Sequence, residues 1–107
     1  MTQLTPEQLN AWLLDSTRPK PVLVDVREAW EVGICKIPGS LHIPLGTVPA
    51  RAGELSAQSD TVLVCHHGAR SMQAGVFLEH QGFDKIYNLS GGVNAWAHAV
   101  DNTMPIY

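Results

Sequence analysis

The residues best suited to chemistry lie together at positions 65–71, where the sequence reads CHHGARS. Cys65 supplies a sulfur that becomes a nucleophile when it is ionised. Gly68 lets the chain turn tightly after it, so that successive backbone N–H groups can converge on one point. Arg70 either presents a charged fork to an anionic substrate or braces the loop. We therefore expect a nucleophilic cysteine in a cradle for small anions, rather than a buried cysteine that merely closes a core strand.

Such a cradle needs a strand before it and a helix after it. Residues 61–65 (TVLVC) are apolar and β-branched, which predicts a strand buried on both faces. Residues 71–80 place apolar side chains at helical spacing before a stop at Gly82, so that a helix begins near Arg70. The positive end of that helix then points towards the cysteine and stabilises a thiolate.

The rest of the chain alternates between strand and helix. Apolar, β-branched runs predict further strands at 21–26, 40–44 and 85–89. A capping box of Thr5 and Gln8 with Pro6 starts the first helix. Helices are predicted at 6–15, 28–32 (ending at Gly33) and 93–99, with one or two helical turns within 47–55. This order predicts an α/β fold with a mostly parallel sheet, in which ligands bind at the carboxyl ends of the strands.

Composition limits the classes of protein to which the chain can belong. Its 107 residues fit one domain, and 45% hydrophobic against 16% charged residues indicate a packed core. The net charge of -3 disfavours nucleic acid as a partner, because phosphate binding needs a basic face. No apolar run reaches the roughly 18 residues of a membrane helix, and residues 1–10 lack the basic and apolar regions of a signal peptide. With two cysteines and no CxxC pair, we expect reduced thiols in a cytoplasmic protein that contacts neither membrane nor nucleic acid.

Four segments together resemble the rhodanese family, close to its small bacterial single-domain thiosulfate sulfurtransferases. They are LVDVRE at 23–28, IPGSLHIPL at 37–45, CHHGARS at 65–71 and GGVNAW at 91–96. Each segment alone is a weak signal, but all four in this order are a strong one. The resemblance implies a single rhodanese-like domain over residues 1–107, with a central, mostly parallel five-stranded sheet flanked by helices.

The resemblance also implies a chemistry. Cys65 attacks the outer sulfur of a small anionic donor such as thiosulfate, or of a persulfide, and carries that sulfur as a persulfide itself. A thiophilic acceptor, which is cyanide in an assay and a thiol or a protein in the cell, then takes the sulfur. No cofactor and no metal is needed. The donor is bound chiefly by the backbone amides of the loop residues His66, His67, Gly68, Ala69 and Arg70.

Two other functions fit parts of the same pattern. Cysteine-dependent phosphatases separate the cysteine and arginine by one residue more than the four residues between Cys65 and Arg70, and their longer loop suits a tetrahedral phosphate. The second alternative is a sulfur-relay or non-catalytic protein-interaction module on the same fold. The presence of Cys65 disfavours a non-catalytic module. A protein that only relays sulfur between other proteins would have the same sequence pattern as the enzyme.

Several residues near the loop have both a chemical and a structural interpretation. His66 and His67 either polarise the thiol or bind the donor when protonated, but we favour outward-pointing side chains, because rhodanese-like loops vary at these positions. Asp25 and Arg27 end a buried strand, and we expect them to pair and to support the loop rather than to take part in catalysis. Gly91 and Gly92 are expected to bring the last helix close to the loop.

Cys35 has a chemical interpretation only if it lies near the nucleophile. A resolving thiol requires its Cα within about 7 Å of that of Cys65. We expect Cys35 to be a small core residue instead. A zinc site built from Cys35, Cys65, His42 and His66 matches no metal-binding spacing, so none is predicted.

Overall fold

The computed structural model describes residues 1–107 and contains one sheet of five strands in the order β1-β5-β4-β2-β3. All four neighbouring pairs are parallel, so the predicted α/β fold is confirmed and the sheet is wholly rather than mostly parallel. The strands are β1 (Thr2–Leu4), β2 (Val22–Asp25), β3 (Leu41–His42), β4 (Thr61–Val64) and β5 (Ile86–Leu89). The helices are α1 (Pro6–Leu14), α2 (Ala29–Ile34), α3 (Val48–Arg51), α4 (Ala69–His80) and α5 (Gly92–Ala99), and 3-10 turns at Leu45–Thr47 and Ala52–Glu54 flank α3.

The core lies on both faces of the sheet because side chains alternate along each strand. On β4, Val62 and Val64 pack towards α1 and α5, where they meet Trp12 and Trp96. Leu63 and Cys65 point to the opposite face, in the cluster that α3 and α4 cover. All four residues of β4 are buried, as expected for a central parallel strand. None of the helices combines the length and apolar character that crossing a membrane requires.

The first helix begins as its sequence predicts. Thr5 Oγ accepts a hydrogen bond from the backbone N–H of Gln8, and the Gln8 side chain accepts one from the N–H of Thr5. These reciprocal bonds form the capping box and fix the start of α1 at Pro6.

Two features of the chain differ from the prediction. No strand was placed at the N-terminus, yet Thr2–Leu4 pairs with β5 at the edge of the sheet. The second helix continues past Gly33 to Ile34. Arg27 donates hydrogen bonds to the backbone carbonyls of Glu31 (3.3 Å) and Cys35 (2.7 Å). These bonds satisfy carbonyl groups at the end of α2, so the helix does not have to end in a turn at Gly33.

Candidate active site

Cys65 follows β4 at the carboxyl edge of the sheet, and its side chain is buried, with 1% of the residue exposed. Its Sγ accepts a hydrogen bond from the backbone N–H of Gly68 at 3.0 Å. Gly68 adopts φ +109°, in the left-handed region that favours glycine, and α4 begins immediately after it. The sulfur therefore lies inside the turn that joins β4 to α4.

The other amides of this turn are free to bind an anion. The backbone N–H groups of His66, His67, Ala69 and Arg70 have no hydrogen-bond acceptor within the protein. Together with the Gly68 amide on Sγ, they are the donors available for the cradle that the loop sequence predicts. Such a cluster of unpaired donors at the start of a helix stabilises negative charge on the sulfur or on an atom attached to it.

The start of α5 holds the carbonyl groups of the same turn. The N–H of Val93 donates to Cys65 O at 2.9 Å, and the N–H of Asn94 donates to His66 O at 3.1 Å. This contact requires Gly92, because a Cβ at that position would lie 2.3 Å from Cys65 O, and because φ of Gly92 is +59°. The predicted close approach of the double glycine to the loop is confirmed.

A buried hydroxyl lies beside the sulfur on the other side. Ser71 Oγ is 3.3 Å from Cys65 Sγ, 3.1 Å from Gly68 O and 2.5 Å from Asn88 Oδ1. One hydroxyl proton cannot serve three acceptors, so its direction depends on whether the sulfur is a thiol that donates or a thiolate that accepts. Asn88 is fixed in turn by its amide nitrogen, which donates to Gln3 Oε1 on β1 at 2.9 Å.

Arg70 does not point freely towards a substrate. Its Nη1 and Nη2 bind the two carboxylate oxygens of Glu31 at 2.6 and 2.7 Å. The Glu31 side chain is 4% exposed and that of Arg70 is 35% exposed. The hydrogen bonds from Arg70 lower the pKa of Glu31 to about 2, and the same ion pair raises the pKa of Arg70. The sequence allowed Arg70 either to bind an anionic substrate or to brace the loop. The structure shows the second role, in which Arg70 connects α4 to α2.

A second ion pair lies next to the first and is joined to it by Tyr107. Arg27 and Asp25 are fully buried and form the predicted pair, with Arg27 Nη2 2.7 Å from Asp25 Oδ2. The Tyr107 hydroxyl accepts from Arg27 Nη1 at 2.9 Å and donates to Glu31 Oε2 at 2.8 Å. Burial of this phenol raises its pKa to about 12, so it remains a donor at neutral pH. Tyr107 thus links Arg27 to Glu31, and so to the active turn, which comprises residues 65–71.

The two loop histidines have different environments. His67 is exposed, as expected. The ring of His66 is only partly exposed and stacks on Tyr107, with centroids 3.8 Å apart and planes 7° apart. Burial, followed by the neighbouring His67, lowers the pKa of His66, so this imidazole is neutral at pH 7. Its Nε2 is buried without a hydrogen-bond partner.

Cys35 belongs to a different part of the core from Cys65. It is 8% exposed and packs with the α1 and α5 cluster, whereas Cys65 packs on the other face of the sheet. Both cysteines are free thiols. This packing agrees with the expectation that Cys35 is a small core residue. His42 bonds through Nε2 to the carbonyl of Arg27 at 2.6 Å, and no three of the chain's histidine, cysteine and acidic residues form a group that could hold a metal ion.

A groove of about 400 Å³ opens beside the active turn. Its floor is made by Val26, Val48 and Ala74, which pack in the same core cluster as Cys65. Leu45 and Phe77 also line it. Arg70 is the one residue of the active turn that lines the groove.

Sequence reasoning missed four residues of this site. Glu31 binds Arg70, and Tyr107 binds Glu31. Ser71 lies beside the sulfur, and Asn88 binds Ser71. No local pattern pointed to Glu31, because its partner Arg70 lies 39 residues away in the sequence. Asn88 interrupts an otherwise apolar strand, and a buried amide of this kind indicates a specific partner.

Known proteins resemble this chain in sequence and in structure. A model of the rhodanese-like domain matches residues 5–99. A sulfurtransferase of Allochromatium vinosum is 36% identical over 97 residues, which covers 91% of this chain and 89% of that protein. The putative sulfur carrier protein YrkF of Bacillus subtilis is 42% identical over 74 residues, or 69% of this chain and 40% of that protein. The crystal structure of a rhodanese-like domain protein from Staphylococcus aureus superposes with a TM-score of 0.85 at 31% identity and covers 100% of this chain and 99% of its own.

Proposed function

This chain belongs to the rhodanese-like family, and from that membership we propose that it is a sulfurtransferase that carries sulfane sulfur as a persulfide on Cys65. Relatives named as a sulfurtransferase and a sulfur carrier support a role in sulfur transfer in general. The observation that carries the specific proposal is the cradle itself. Cys65 Sγ lies at the centre of a turn whose amides at His66, His67, Ala69 and Arg70 have no acceptor in the protein.

The proposed reaction has two displacement steps on sulfur. The Cys65 thiolate attacks the outer sulfur of the donor, and the donor's S–S bond breaks as the new S–S bond forms. With thiosulfate, the leaving group is sulfite, which takes the electron pair of the broken bond. A thiophilic acceptor (cyanide, a small thiol or a protein thiol) then attacks the outer sulfur of the persulfide and restores the thiolate.

The turn supports both steps by binding negative charge. Gly68 N–H already donates to Sγ, and the free amides are available to the second sulfur atom. Preorganised donors of this kind need no rearrangement as charge moves from one sulfur to the next. The helix α4 adds its positive N-terminal end at the same point. Asp25 and Arg27 act at a distance, by holding the end of α2 and Tyr107 in place.

The dimensions of the turn favour sulfur over phosphate as the group transferred. Only four residues separate Cys65 from Arg70, and the guanidinium is held by Glu31 through two hydrogen bonds. A phosphatase needs that fork to clamp phosphate oxygens. A sulfur relay between proteins uses the same persulfide, and the relative named as a sulfur carrier is consistent with it. We place either activity in the cytoplasm, where both cysteines stay reduced.

The intact mass of the purified protein tests the proposal directly. After incubation with excess thiosulfate, and separately with an organic persulfide, the mass should rise by one sulfur atom and return to its original value when cyanide is added. Cys65→Ser should gain nothing, and Cys35→Ser should behave as the parent. Failure of every donor to load the parent protein would refute the persulfide mechanism, and loading that persists in Cys65→Ser would place it on another residue.

A further inference from the structure

A chain of hydrogen bonds joins the Cys65 sulfur to the edge strand β1. Ser71 Oγ lies 3.3 Å from Cys65 Sγ and 2.5 Å from Asn88 Oδ1. Asn88 Nδ2 in turn donates to Gln3 Oε1 at 2.9 Å. Cys65, Ser71 and Asn88 are 1%, 0% and 3% exposed, so solvent does not replace a partner that one of them loses. The two displacement steps on sulfur make no use of Asn88, so its burial beside the hydroxyl that contacts the sulfur needs a physical reason.

The Asn88 amide is oriented so that its oxygen faces Ser71. Its nitrogen donates to Gln3 Oε1, which also accepts a hydrogen bond from Ser90 Oγ at 3.1 Å. An amide whose nitrogen is bound in this way presents an acceptor to the group on its other side. Ser71 is therefore the donor in the 2.5 Å hydrogen bond to Asn88 Oδ1, and its single proton points away from the sulfur.

Asn88 and an ionised sulfur compete for this one proton. While Cys65 is a thiol, its S–H donates to Ser71 Oγ and the hydroxyl donates to Asn88 Oδ1. A thiolate only accepts, so the hydroxyl turns towards it, beside the Gly68 N–H that already lies 3.0 Å from the sulfur. Asn88 Oδ1 then becomes a buried acceptor without a donor, which costs free energy. Gly68 O, the third acceptor near the hydroxyl, keeps its hydrogen bond from Met72 N–H at 3.2 Å in either case.

We propose that Asn88 is a positioning residue for sulfur transfer: its oxygen holds the Ser71 proton while Cys65 is a thiol or a persulfide, and gives it up to the sulfur only when Cys65 is a thiolate. The persulfide part of this inference rests on the proposed sulfurtransferase function, and the thiol part does not. The residue acts through Ser71 alone, since it has no contact of its own with the sulfur among the hydrogen bonds of the site.

The hydroxyl turns twice in each reaction cycle. In the persulfide, Sγ of Cys65 is bonded to the outer sulfur, which carries the negative charge, so the Ser71 proton returns to Asn88. When an acceptor attacks the outer sulfur, the S–S bond breaks and Sγ leaves with its electron pair as a thiolate, to which the hydroxyl turns again. The proton stays on the Ser71 oxygen throughout. Because the departing thiolate leaves Asn88 without a donor, Sγ is a poorer leaving group and the persulfide lasts longer.

The pH profile of alkylation by iodoacetamide tests the thiol part. It is measured in a Cys35→Ser background, so that Cys65 is the only thiol. Asn88→Leu removes the competing acceptor and should move the midpoint of the profile to lower pH by about one unit. Ser71→Ala removes the donor and should move it to higher pH. Asn88→Val repeats the test if Asn88→Leu does not fold. Thr61→Val is the matched control, because it removes a buried polar group (1% exposed) at the opposite end of β4, and should leave the midpoint unchanged.

The double variant separates this role from a merely structural one. If Asn88 acts only through the Ser71 proton, Asn88→Leu changes nothing once Ser71 is alanine, so the double variant should have the midpoint of Ser71→Ala alone. An Asn88→Leu midpoint that is unchanged or higher than that of the parent, or an equal shift in both backgrounds, would overturn the proposal.

Release of sulfur to cyanide tests the persulfide part. From protein loaded beforehand, release should be roughly threefold faster in Asn88→Leu than in the parent, because the departing thiolate is the better stabilised. Equal or slower release would overturn this part even if the alkylation midpoint shifts as expected. If no donor loads Cys65 in the parent, the proposed function fails, while the alkylation profiles still decide whether Asn88 controls the thiol.

Discussion

Replacement of Gly92 by alanine should damage both the fold and the active turn. The added Cβ would lie 2.3 Å from Cys65 O and 2.4 Å from His66 O, which are backbone atoms that cannot turn away as a side chain can. The φ of +59° costs an L-residue about 1–2 kcal/mol. Relief of the clash also breaks the hydrogen bonds from Val93 and Asn94, which contribute together about 1–3 kcal/mol. We therefore expect a loss of about 2–5 kcal/mol, a large part of the stability of a domain of this size.

Urea unfolding and sulfur loading measure the two consequences separately. The midpoint of unfolding should fall, and loading of Cys65 should slow even under conditions in which the variant is fully folded, because the turn has lost the contacts that orient it. Gly33→Ala is the control, since its Cβ meets no heavy atom and its position in α2 gains helix propensity, so that it should be neutral or stabilise by up to about 1 kcal/mol. A Gly92→Ala protein that unfolds within about 0.5 kcal/mol of the parent and loads sulfur at the parental rate would refute this account of the turn.

Three further predictions concern the groups around the sulfur. Ser71→Ala removes the hydroxyl that lies 3.3 Å from Cys65 Sγ, and we expect alkylation of Cys65 by iodoacetamide at pH 7 to slow about tenfold. Asp25→Asn leaves the buried Arg27 without its carboxylate partner and should lower the free energy of unfolding by about 3–5 kcal/mol in urea. Hydrogen bonds from Arg70 lower the pKa of Glu31 from 4.5 to about 2. The pair therefore stabilises the fold fully above pH 4.5 and loses this contribution as the pH falls towards 2. Urea titrations between these pH values should show that the free energy of unfolding falls by about 3 kcal/mol, and this loss should be absent in Glu31→Gln.

Each of these variants has a matched control or a result that would contradict it. Ser56→Ala, at an exposed turn, should leave the alkylation rate unchanged, and equal slowing in both serine variants would show that the effect is not local. Asp84→Asn removes an exposed carboxylate and should change stability by less than about 0.5 kcal/mol. A pH dependence of stability that persists unchanged in Glu31→Gln would assign the acid sensitivity to other carboxylates.

Local sequence patterns predicted the central part of the fold and the place of Cys65 at the end of a buried strand. The apolar run before Cys65, the capping box at Thr5 and Gln8, and the glycine in the turn each depend on neighbours within a few residues. The short edge strand at Thr2–Leu4 was missed because two of its three residues are exposed and only pairing with β5 makes it a strand. Its formation is a tertiary event that periodicity cannot show.

The network around Arg70 was missed for the same reason. Glu31 lies 39 residues from Arg70, and Tyr107 lies 76 residues from Glu31, so no local pattern joins them. Arg70 could be identified as a residue of interest, but whether it faces a substrate or a carboxylate is decided by where α2 packs. The placement of His66 against Tyr107 has the same origin, which is why only His67 points outward as expected.

The two ion pairs next to the active turn bear on how the protein responds to the ionic strength of the solution. Asp25, Arg27, Glu31 and Arg70 alternate in sign, each arginine lies 2.6–2.7 Å from a carboxylate, and three of the four side chains are at most 4% exposed. Dissolved ions screen charges that water surrounds, and they have little access to pairs held this closely inside the protein. We therefore expect the two ion pairs to hold the turn about as well in concentrated salt as in dilute buffer.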